Sequence, residues 1–176
     1  MDKVLEYFIK EPEKEFHVRQ LSKILKKSPT TISKYLKELE KKRILKSERK
    51  LNHLLFKADT ENKRFKQAKL DYNLRLLHDS GLIDYLIKQY NYPNAIILFG
   101  SFAKAENTSK SDVDVLIISP VKKQISLKKF EKKIGFDIQV FIHSKKEIDK
   151  IKVKNKELLN NWINGITLYG FWEVFN

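Results

Sequence analysis

The sequence predicts a two-domain protein of the α/β (α+β) class, with helices at the N-terminal end and strands concentrated in the C-terminal half. Apolar residues recur at helical spacing up to about residue 42, whereas apolar runs typical of buried strands dominate only from Ala95 onward. The length of 176 residues suits one large domain or two small ones. We therefore predict domains at 1–60 and 91–176, joined by a helical linker at 61–90.

The composition favours a polyanionic partner. The formal net charge is +14, which is typical of proteins that bind nucleic acid or nucleotides, although lysines that only aid solubility give the same count. The absence of cysteine excludes disulfides and thiolate metal sites. Because no apolar run approaches the roughly 20 residues of a membrane-spanning helix, we expect a soluble, cytoplasmic protein.

The first 42 residues predict three helices. The first covers 2–10 and ends at Glu11-Pro12, and the second runs from Phe16 to Lys27. Ser28 and Pro29 form a typical helix start, with a capping hydroxyl and proline at the first position. The third helix then extends to about Lys42. One face of it carries Ile32, Tyr35, Leu36 and Leu39, and Ile32, Leu36 and Leu39 are predicted to pack inward.

Two short strands follow these helices. Residues 44–49 and 54–58 are predicted as strands on either side of 50–53, which together make a basic hairpin. The short connection between the second and third helices is typical of a helix-turn-helix. Three helices followed by a hairpin make a winged helix-turn-helix.

The remaining pattern predicts helices and then a small mixed sheet. Residues 61–79 form a connecting helix, Ser80-Gly81 interrupts it, and 82–90 resume a helix. Strands are expected at 95–99, 113–118 and 134–142, and a helix at 145–163. An apolar end covers 163–175, where Trp162 and Trp172 are expected in the core or at an interface. The four histidines are scattered without zinc-ligand spacing.

A glycine-containing turn and two aspartates carry the chemistry. The apolar run 95–99 stops at Gly100-Ser101, and eleven residues after Ser101 comes Asp112-Val113-Asp114 at the start of the next apolar run. Strand alternation places Asp112 and Asp114 on one face, where they repel each other unless a cation relieves the repulsion. A strand-to-helix turn offers free backbone N–H groups to an anion. The pattern therefore predicts a combined metal and phosphate site.

A third carboxylate completes the predicted site. Asp137 lies among apolar residues of the strand predicted at 134–142, where a buried aspartate is costly unless it is paired or bound to metal. Three carboxylates suit two Mg²⁺ ions, which stabilise an in-line phosphoryl displacement while Asp137 accepts the proton of the attacking hydroxyl. Gly100 lets the backbone approach a triphosphate, Ser101 donates its hydroxyl, and Lys104 adds a cation.

The segment Gly-Ser-Phe-Ala-Lys-Ala-Glu, followed after four residues by Ser-Asp-Val-Asp-Val, resembles the signature of the DNA polymerase β-like nucleotidyltransferase superfamily in its minimal prokaryotic form. The resemblance implies that Asp112, Asp114 and Asp137 hold Mg²⁺ and assist the hydroxyl, and that Gly100 and Ser101 bind the triphosphate. Where the family usually has glycine, this chain has Ala105.

The same resemblance implies the substrates. A nucleoside monophosphate would pass from an NTP, with ATP the expected one, to a hydroxyl. Similarity to members that act as antitoxins suggests a tyrosine on a partner toxin encoded nearby. The alternative is a domain that only binds nucleotide or mediates assembly.

The N-terminal segment resembles the winged helix-turn-helix domains of prokaryotic transcription regulators. The resemblance and the outward face of the third helix imply major-groove contacts near its start. Such regulators usually read two half-sites, which suggests a homodimer, and a winged helix used only for protein contact is the alternative. The candidate DNA-binding residues are Thr30, Thr31, Ser33, Lys34 and Lys37 in the helix, with Arg49 and Lys50 in the hairpin.

Overall fold

The computed structural model describes residues 3–174, which form two units, the first ending at Tyr72 and the second beginning at Asn73. The first unit has the predicted three helices and hairpin, together with a short additional strand. Its elements are α1 (Lys3–Lys10), β1 (Phe16–His17), α2 (Val18–Leu25), α3 (Pro29–Lys41), β2 (Leu45–Lys50), β3 (His53–Ala58) and the beginning of α4 (Lys63–Ser80).

The additional strand corrects the predicted start of the second helix. Phe16 and His17 pair antiparallel with β3, which gives a three-stranded sheet in the order β1-β3-β2. The helix α2 begins only at Val18, because His17 acts as its N-cap and its Nδ1 accepts a hydrogen bond from the Gln20 backbone N–H at 3.2 Å. The prediction that helix two starts at Phe16 is therefore wrong by two residues.

The cap and the core face of α3 follow the sequence closely. Ser28 accepts from the Thr31 backbone N–H at 3.1 Å, and Pro29 occupies the first turn. The predicted inward residues of α3 are buried, whereas Tyr35 on the same face is 42% exposed. It lies at the flank of a stripe that Ile32, Leu36 and Leu39 already fill.

The segment 61–90 is helical, as its periodicity predicts. It contains α4 and α5 (Leu82–Gln89), separated at Gly81, whose φ of 80° ends regular helix geometry. The Ser80 hydroxyl donates to the Leu77 carbonyl at 2.6 Å and accepts from the Leu82 N–H at 3.0 Å. These bonds satisfy backbone groups at the break between the helices.

The second unit is built on a four-stranded sheet in the order β6-β5-β4-β7, in which only β5 and β6 run parallel. No helix within residues 3–174 is long and apolar enough to span a membrane. The elements that follow α5 are β4 (Ala95–Phe99), α6 (Gly100–Ala103), β5 (Val113–Ile118), α7 (Lys128–Ile134), β6 (Ile138–His143), α8 (Lys145–Lys154), α9 (Lys156–Ile163) and β7 (Ile166–Gly170).

The two central strands are buried on both faces. On β4, Ile96 and Leu98 join one apolar cluster, and Ile97 joins another cluster that also contains the fully buried Trp162. On β5, Val115 and Leu116 divide between the same two clusters. Strands that are packed on both faces have continuous apolar sequences. For this reason the predicted strand bounds of 95–99 and 113–118 match those of the structure. The rigid ends of these strands position the candidate site.

The C-terminal elements differ from the sequence prediction in three places. Residues 134–137 are the end of α7 and a turn at Gly135, whose φ is 83°, so β6 starts four residues later than predicted. The helix predicted over 145–163 is divided at Asn155, which caps α9. The apolar end contains the strand β7 (Ile166–Gly170).

A capping box at the start of α8 gives a prediction about stability. The Glu147 carboxylate accepts from the Ser144 N–H at 2.8 Å and also pairs with Lys122, and these partners hold the pKa of Glu147 at about 2. A lowered carboxyl pKa stabilises the fold above the unfolded value of about 4.3, and this contribution is lost as pH falls toward 2. Glu147→Gln is therefore expected to lower the free energy of unfolding slightly at pH 7.

Urea unfolding checks this expectation. The difference between wild type and Glu147→Gln should shrink as pH falls from 5 to 3. Glu38→Gln, at an exposed position of α3, is the matched control, because its carboxylate has no hydrogen-bond or ion-pair partner within residues 3–174. A difference that stays constant with pH would contradict the assigned electrostatic role.

Candidate functional site

The Gly-Ser turn connects the buried strand β4 to α6. Gly100 has a φ of 69°, a left-handed conformation that glycine adopts without a Cβ penalty. Phe102 is fully buried and anchors the turn, whereas Ser101 is half-buried and Lys104 is exposed just after α6. The turn therefore holds its backbone rigidly while the Lys104 side chain stays open to solvent.

Asp114 lies directly against this turn. Antiparallel pairing places Asp114 opposite Phe99, the residue before Gly100. A Cβ built on Gly100 would overlap the Asp114 carboxylate Oδ2, so the absence of a side chain at Gly100 makes room for the carboxylate. The sequence predicts Gly100 for a phosphate approach, and the structure adds the close packing of Asp114 against it.

The two aspartates of the Asp-x-Asp pattern interact electrostatically. Burial, and to a smaller extent the negative charge of Asp112, raise the pKa of the Asp114 carboxyl above its ordinary value. Asp112, the residue before β5, also accepts a hydrogen bond from the Gln139 side-chain amide. Because a cation would relieve both the repulsion and the burial cost, this pair has the electrostatic character of a metal-binding carboxylate pair.

Asp137 occupies a different setting from the predicted one. It is exposed and lies in the turn before β6, so the prediction of a buried strand aspartate is wrong. The helix α7 and the turn at Gly135 take up the residues that the sequence assigns to the strand. The Asp137 carbonyl accepts from the Val113 N–H at 2.8 Å, which places Asp137 beside the start of β5.

A polar groove of about 370 Å³ brings Asp112 and Asp137 to one surface. Within residues 3–174, no group of three or more His, Asp or Glu side chains has the arrangement of a metal site. The structure therefore places Asp114 beside Asp112, and it places Asp137 with Asp112 along one groove. The groove is lined by Ser109, Lys110, Ser111, Asp112, Glu131, Lys132, Gly135, Phe136 and Asp137.

Two amides that sequence reasoning missed hold this site in place. Gln139 pairs with Asp114 in the parallel register and bonds to the Asp112 carboxylate. Asn73 is 1% exposed and donates from its amide to the Phe102 carbonyl at 3.0 Å and to the Asn107 side chain at 2.8 Å. Gln139 could have been found from the sequence, because it lies two residues after Asp137 in the predicted strand and so shares its face. Asn73 lies too far along the chain from its partners for the sequence to indicate these bonds.

The loop between the turn and the aspartates is internally bonded. Ser111 accepts from the Thr108 N–H at 2.9 Å, and the Ser111 N–H donates to the Thr108 carbonyl at 3.1 Å. Ala105 has a φ of 56°, which an L-residue adopts only at a cost. A glycine at this position would adopt the same conformation without that cost.

The outer face of α3 forms the candidate nucleic-acid interface of the first unit. Thr30, Thr31, Lys34 and Lys37 are exposed and Ser33 is half-buried. The Thr31 hydroxyl is already hydrogen-bonded to Ser28 at 2.8 Å. A groove of about 690 Å³ runs along this face and is lined by Val18, Pro29, Thr30, Ser33, Lys34, Lys37, Glu38 and Lys41.

The hairpin lysine and arginine differ in how they are paired. Lys50 contacts Glu15 at 2.7 Å and Glu48 at 3.3 Å, and these carboxylates raise its pKa. Arg49 is exposed and has no carboxylate partner within the described residues. Arg49 is therefore more available to a phosphate than Lys50 is. Lys34 and Lys37 on α3 are available too, because neither side chain has a partner in residues 3–174.

Comparison with known proteins agrees with this geometry. Residues 80–165 match the family model described as "Nucleotidyltransferase domain", which includes the Gly-Ser turn and all three aspartates. Residues 3–47 match the model described as "Bacterial regulatory protein, arsR family", which includes all three N-terminal helices. The search of curated proteins found no match.

These two matches define the kind of protein. The chain combines an N-terminal helix-turn-helix of bacterial regulator type with a C-terminal nucleotidyltransferase domain, so both predicted resemblances and the mixed α+β fold are confirmed. The helix-turn-helix match also supports DNA as a partner.

Proposed function

We propose that the second unit is an Mg²⁺-dependent nucleotidyltransferase that uses ATP and modifies a hydroxyl on a partner protein. The observation that carries this proposal is Asp114, a partly buried carboxylate beside Asp112, seated against the backbone of Gly100. A negatively charged pair next to a strand-to-helix turn supports a site for a metal-bound triphosphate.

The residues fit Mg²⁺ through their chemistry. Carboxylate oxygens are the ligands that Mg²⁺ prefers, and the burial and repulsion that raise the pKa of Asp114 support a nearby cation. Asp112 and Asp114 would hold the metal, with Asp137 contributing from the groove, and two ions are proposed. The ions would supply charge neutralisation at the reacting phosphate.

The protein groups then have distinct roles in the transfer. The backbone at Gly100, the Ser101 hydroxyl and Lys104 bind the triphosphate. The acceptor hydroxyl oxygen forms a bond to the α-phosphorus while the bond from that phosphorus to the bridging oxygen breaks, and pyrophosphate leaves with the electron pair. The hydroxyl proton passes to Asp137, which faces the groove.

We propose that the first unit binds DNA as a homodimer, so that the protein regulates transcription, including that of its own operon, and modifies a toxin encoded nearby. The exposed cations of α3 and the hairpin support the DNA-binding part of this proposal. A second candidate is a regulator whose C-terminal domain only binds nucleotide or mediates assembly. The exposure of Asp137 favours this candidate, because an exposed aspartate is less constrained as a base.

Label transfer separates the two candidates. The protein is incubated with labelled ATP and Mg²⁺, with and without the protein encoded by the adjacent gene. Mg²⁺-dependent labelling that Asp112→Ala abolishes supports the transferase. If wild type and Asp112→Ala bind ATP differently but neither transfers label, the regulator is supported instead.

DNA binding gives a separate prediction. Lys34→Ala combined with Lys37→Ala should weaken binding to the upstream DNA and reduce the slope of log K against log salt by about 1.8, since each phosphate contact contributes about 0.9. The measurement is fluorescence anisotropy at several salt concentrations. Lys150→Ala with Lys154→Ala, two exposed lysines of α8, removes the same charge and should leave the slope nearly unchanged. Equal effects of the two pairs would contradict a specific role for α3.

A further inference from the structure

The groove beside Asp112 and Asp137 is lined by residues other than those of the Gly-Ser turn. Asp112 and Asp137 line the groove, whereas Gly100, Ser101 and Asp114 are absent from its lining among the described residues. Asp114 instead packs against Gly100. An in-line displacement needs the attacking and leaving oxygens on opposite sides of the phosphorus. Because the triphosphate is proposed at the turn, we assign the separate groove beside Asp112 and Asp137 to the acceptor.

The wall of this groove carries unpaired positive charge. Lys110 and Lys132 line it, both are exposed, and neither side chain contacts a carboxylate within residues 3–174. The carboxylate of Glu131, also in the wall, accepts from the Ile138 N–H at 3.3 Å and keeps one negative charge against the two lysines. Because Asp112 and Asp137 would be neutralised by the metal, the loaded groove presents a net positive surface to the acceptor.

Neighbouring lysines on α7 extend this positive charge along one side. Lys128 and Lys129 are exposed and have no side-chain partner in the described part of the chain. Lys133 differs, because its Nζ donates to the Asp79 and Ser80 carbonyls and fixes α7 in place. The unpaired lysines Lys128 and Lys129 therefore lie on a helix whose position is fixed by the hydrogen bonds of Lys133.

The groove lacks the features of a nucleic-acid strand site. Its one aromatic lining residue, within the described residues, is Phe136, whose ring packs edge-to-face on the buried Phe102 at 4.8 Å between centroids. Single-stranded nucleic acids are usually held on aromatic faces that stack on the bases. A cationic groove without a free aromatic face fits carboxylates of a polypeptide better.

We infer that the acceptor hydroxyl lies on an acidic polypeptide segment, whose Asp or Glu side chains flank the modified residue and contact Lys110 and Lys132. This inference rests on the proposed transferase function. It defines the substrate class by charge, and it assigns Lys110 and Lys132 as specificity-determining residues that bind the acceptor and leave ATP binding unaffected.

Peptide binding and peptide labelling test this inference with the full chain. Fluorescein-labelled peptides with a central tyrosine flanked by Glu, Gln or Lys are titrated in Mg²⁺ with a non-hydrolysable ATP analogue, and unlabelled versions are tested with labelled ATP. The acidic peptide should bind about five- to tenfold more tightly than the neutral one, since each exposed ion pair contributes modestly. It should also be the preferred acceptor.

Charge reversal assigns the effect to the groove. Lys110→Glu with Lys132→Glu should remove the preference for the acidic peptide and leave binding of the ATP analogue unchanged. Lys150→Glu with Lys154→Glu, on α8, alters the net charge equally and should preserve the preference. This control also accounts for nonspecific binding of acidic peptides to the basic first unit.

The outcomes separate this inference from the proposed function. Failure of ATP analogue to bind, with no labelling of any peptide, refutes the transferase, while the binding titrations still test the groove. Normal ATP binding with no acidic preference, or a preference that the groove variant retains, overturns the inference alone. Stronger labelling of a DNA or RNA oligonucleotide than of the acidic peptide also overturns it.

Discussion

Replacing Asp114 with asparagine is expected to abolish nucleotidyl transfer and, at neutral pH, to stabilise the metal-free chain. The transfer loss should be about a thousandfold or more, because a metal-binding carboxylate supports several kcal/mol of transition-state stabilisation. The stability gain arises because burial and the charge of Asp112 make ionised Asp114 unfavourable in the fold. A variant that loses activity while gaining stability is typical of a functional carboxylate.

The pH dependence of this gain has a definite sign. Because folding raises the pKa of Asp114, the folded chain is penalised wherever the carboxyl is ionised. The advantage of Asp114→Asn should therefore be present at pH 7 and disappear below about pH 3.9, the unfolded aspartate value. Urea unfolding at pH 7, 5.5 and 4 measures it, with Asp84→Asn on α5 as an exposed control.

Without metal, Asp114→Asn is expected to be more stable than wild type at pH 7, and added Mg²⁺ should make wild type the more stable of the two. Added Mg²⁺ is expected to raise the melting temperature of wild type and not that of Asp114→Asn, since only the folded wild type binds it. If Asp114→Asn is less stable than wild type at pH 7 without metal, or still transfers nucleotide, the role assigned to Asp114 is wrong.

Gly100→Ala is expected to damage the site as severely as the loss of an aspartate. Its Cβ would enter the space of the Asp114 carboxylate, in a backbone conformation that itself costs alanine about 1–2 kcal/mol. Displacement of Asp114 adds roughly 1–3 kcal/mol of overpacking. We expect loss of transfer and a clearly lower free energy of unfolding.

Gly81→Ala is the matched control for backbone strain. Gly81 has a φ of 80°, and nothing lies within 4 Å of a Cβ built there. Gly81→Ala should therefore lower the free energy of unfolding by the conformational penalty alone, and it should retain nucleotidyl transfer. The double variant Gly100→Ala with Asp114→Ala should recover part of the stability lost in Gly100→Ala, because the overlapping carboxylate is gone. If Gly100→Ala behaves like Gly81→Ala, the close packing of Asp114 against the turn is not functionally important.

The parts of the fold that the sequence predicts best are those with a single strong pattern. The doubly buried β4 and β5 read as uninterrupted apolar runs, and α3 has both a cap and a stripe. The helix α7 was missed because Lys128 to Lys133 are mostly charged and only Phe130 and Ile134 are buried in it. Its omission also displaced the predicted start of β6.

The arrangement of the candidate site is only partly predictable from the sequence. The Gly-Ser turn and Asp-x-Asp spacing predict Gly100, Ser101, Asp112 and Asp114 as site residues, and the pairing of β4 with β5 places Asp114 opposite Phe99, next to Gly100. The exposure of Asp137 and the hydrogen bonds of Asn73 depend on contacts between distant segments. Such contacts are set by tertiary packing, which local periodicity does not report.

The position of the transferred label tests the central claim most directly. ATP labelled at either the α- or the γ-phosphate is incubated with the protein, Mg²⁺ and the protein encoded by the adjacent gene. Nucleotidyl transfer predicts α-label on the partner protein and γ-label released in pyrophosphate, with neither result after Asp112→Ala or EDTA. Absence of α-label from the protein fraction, with wild type and Asp112→Ala indistinguishable, would contradict the claim that this site transfers nucleotides.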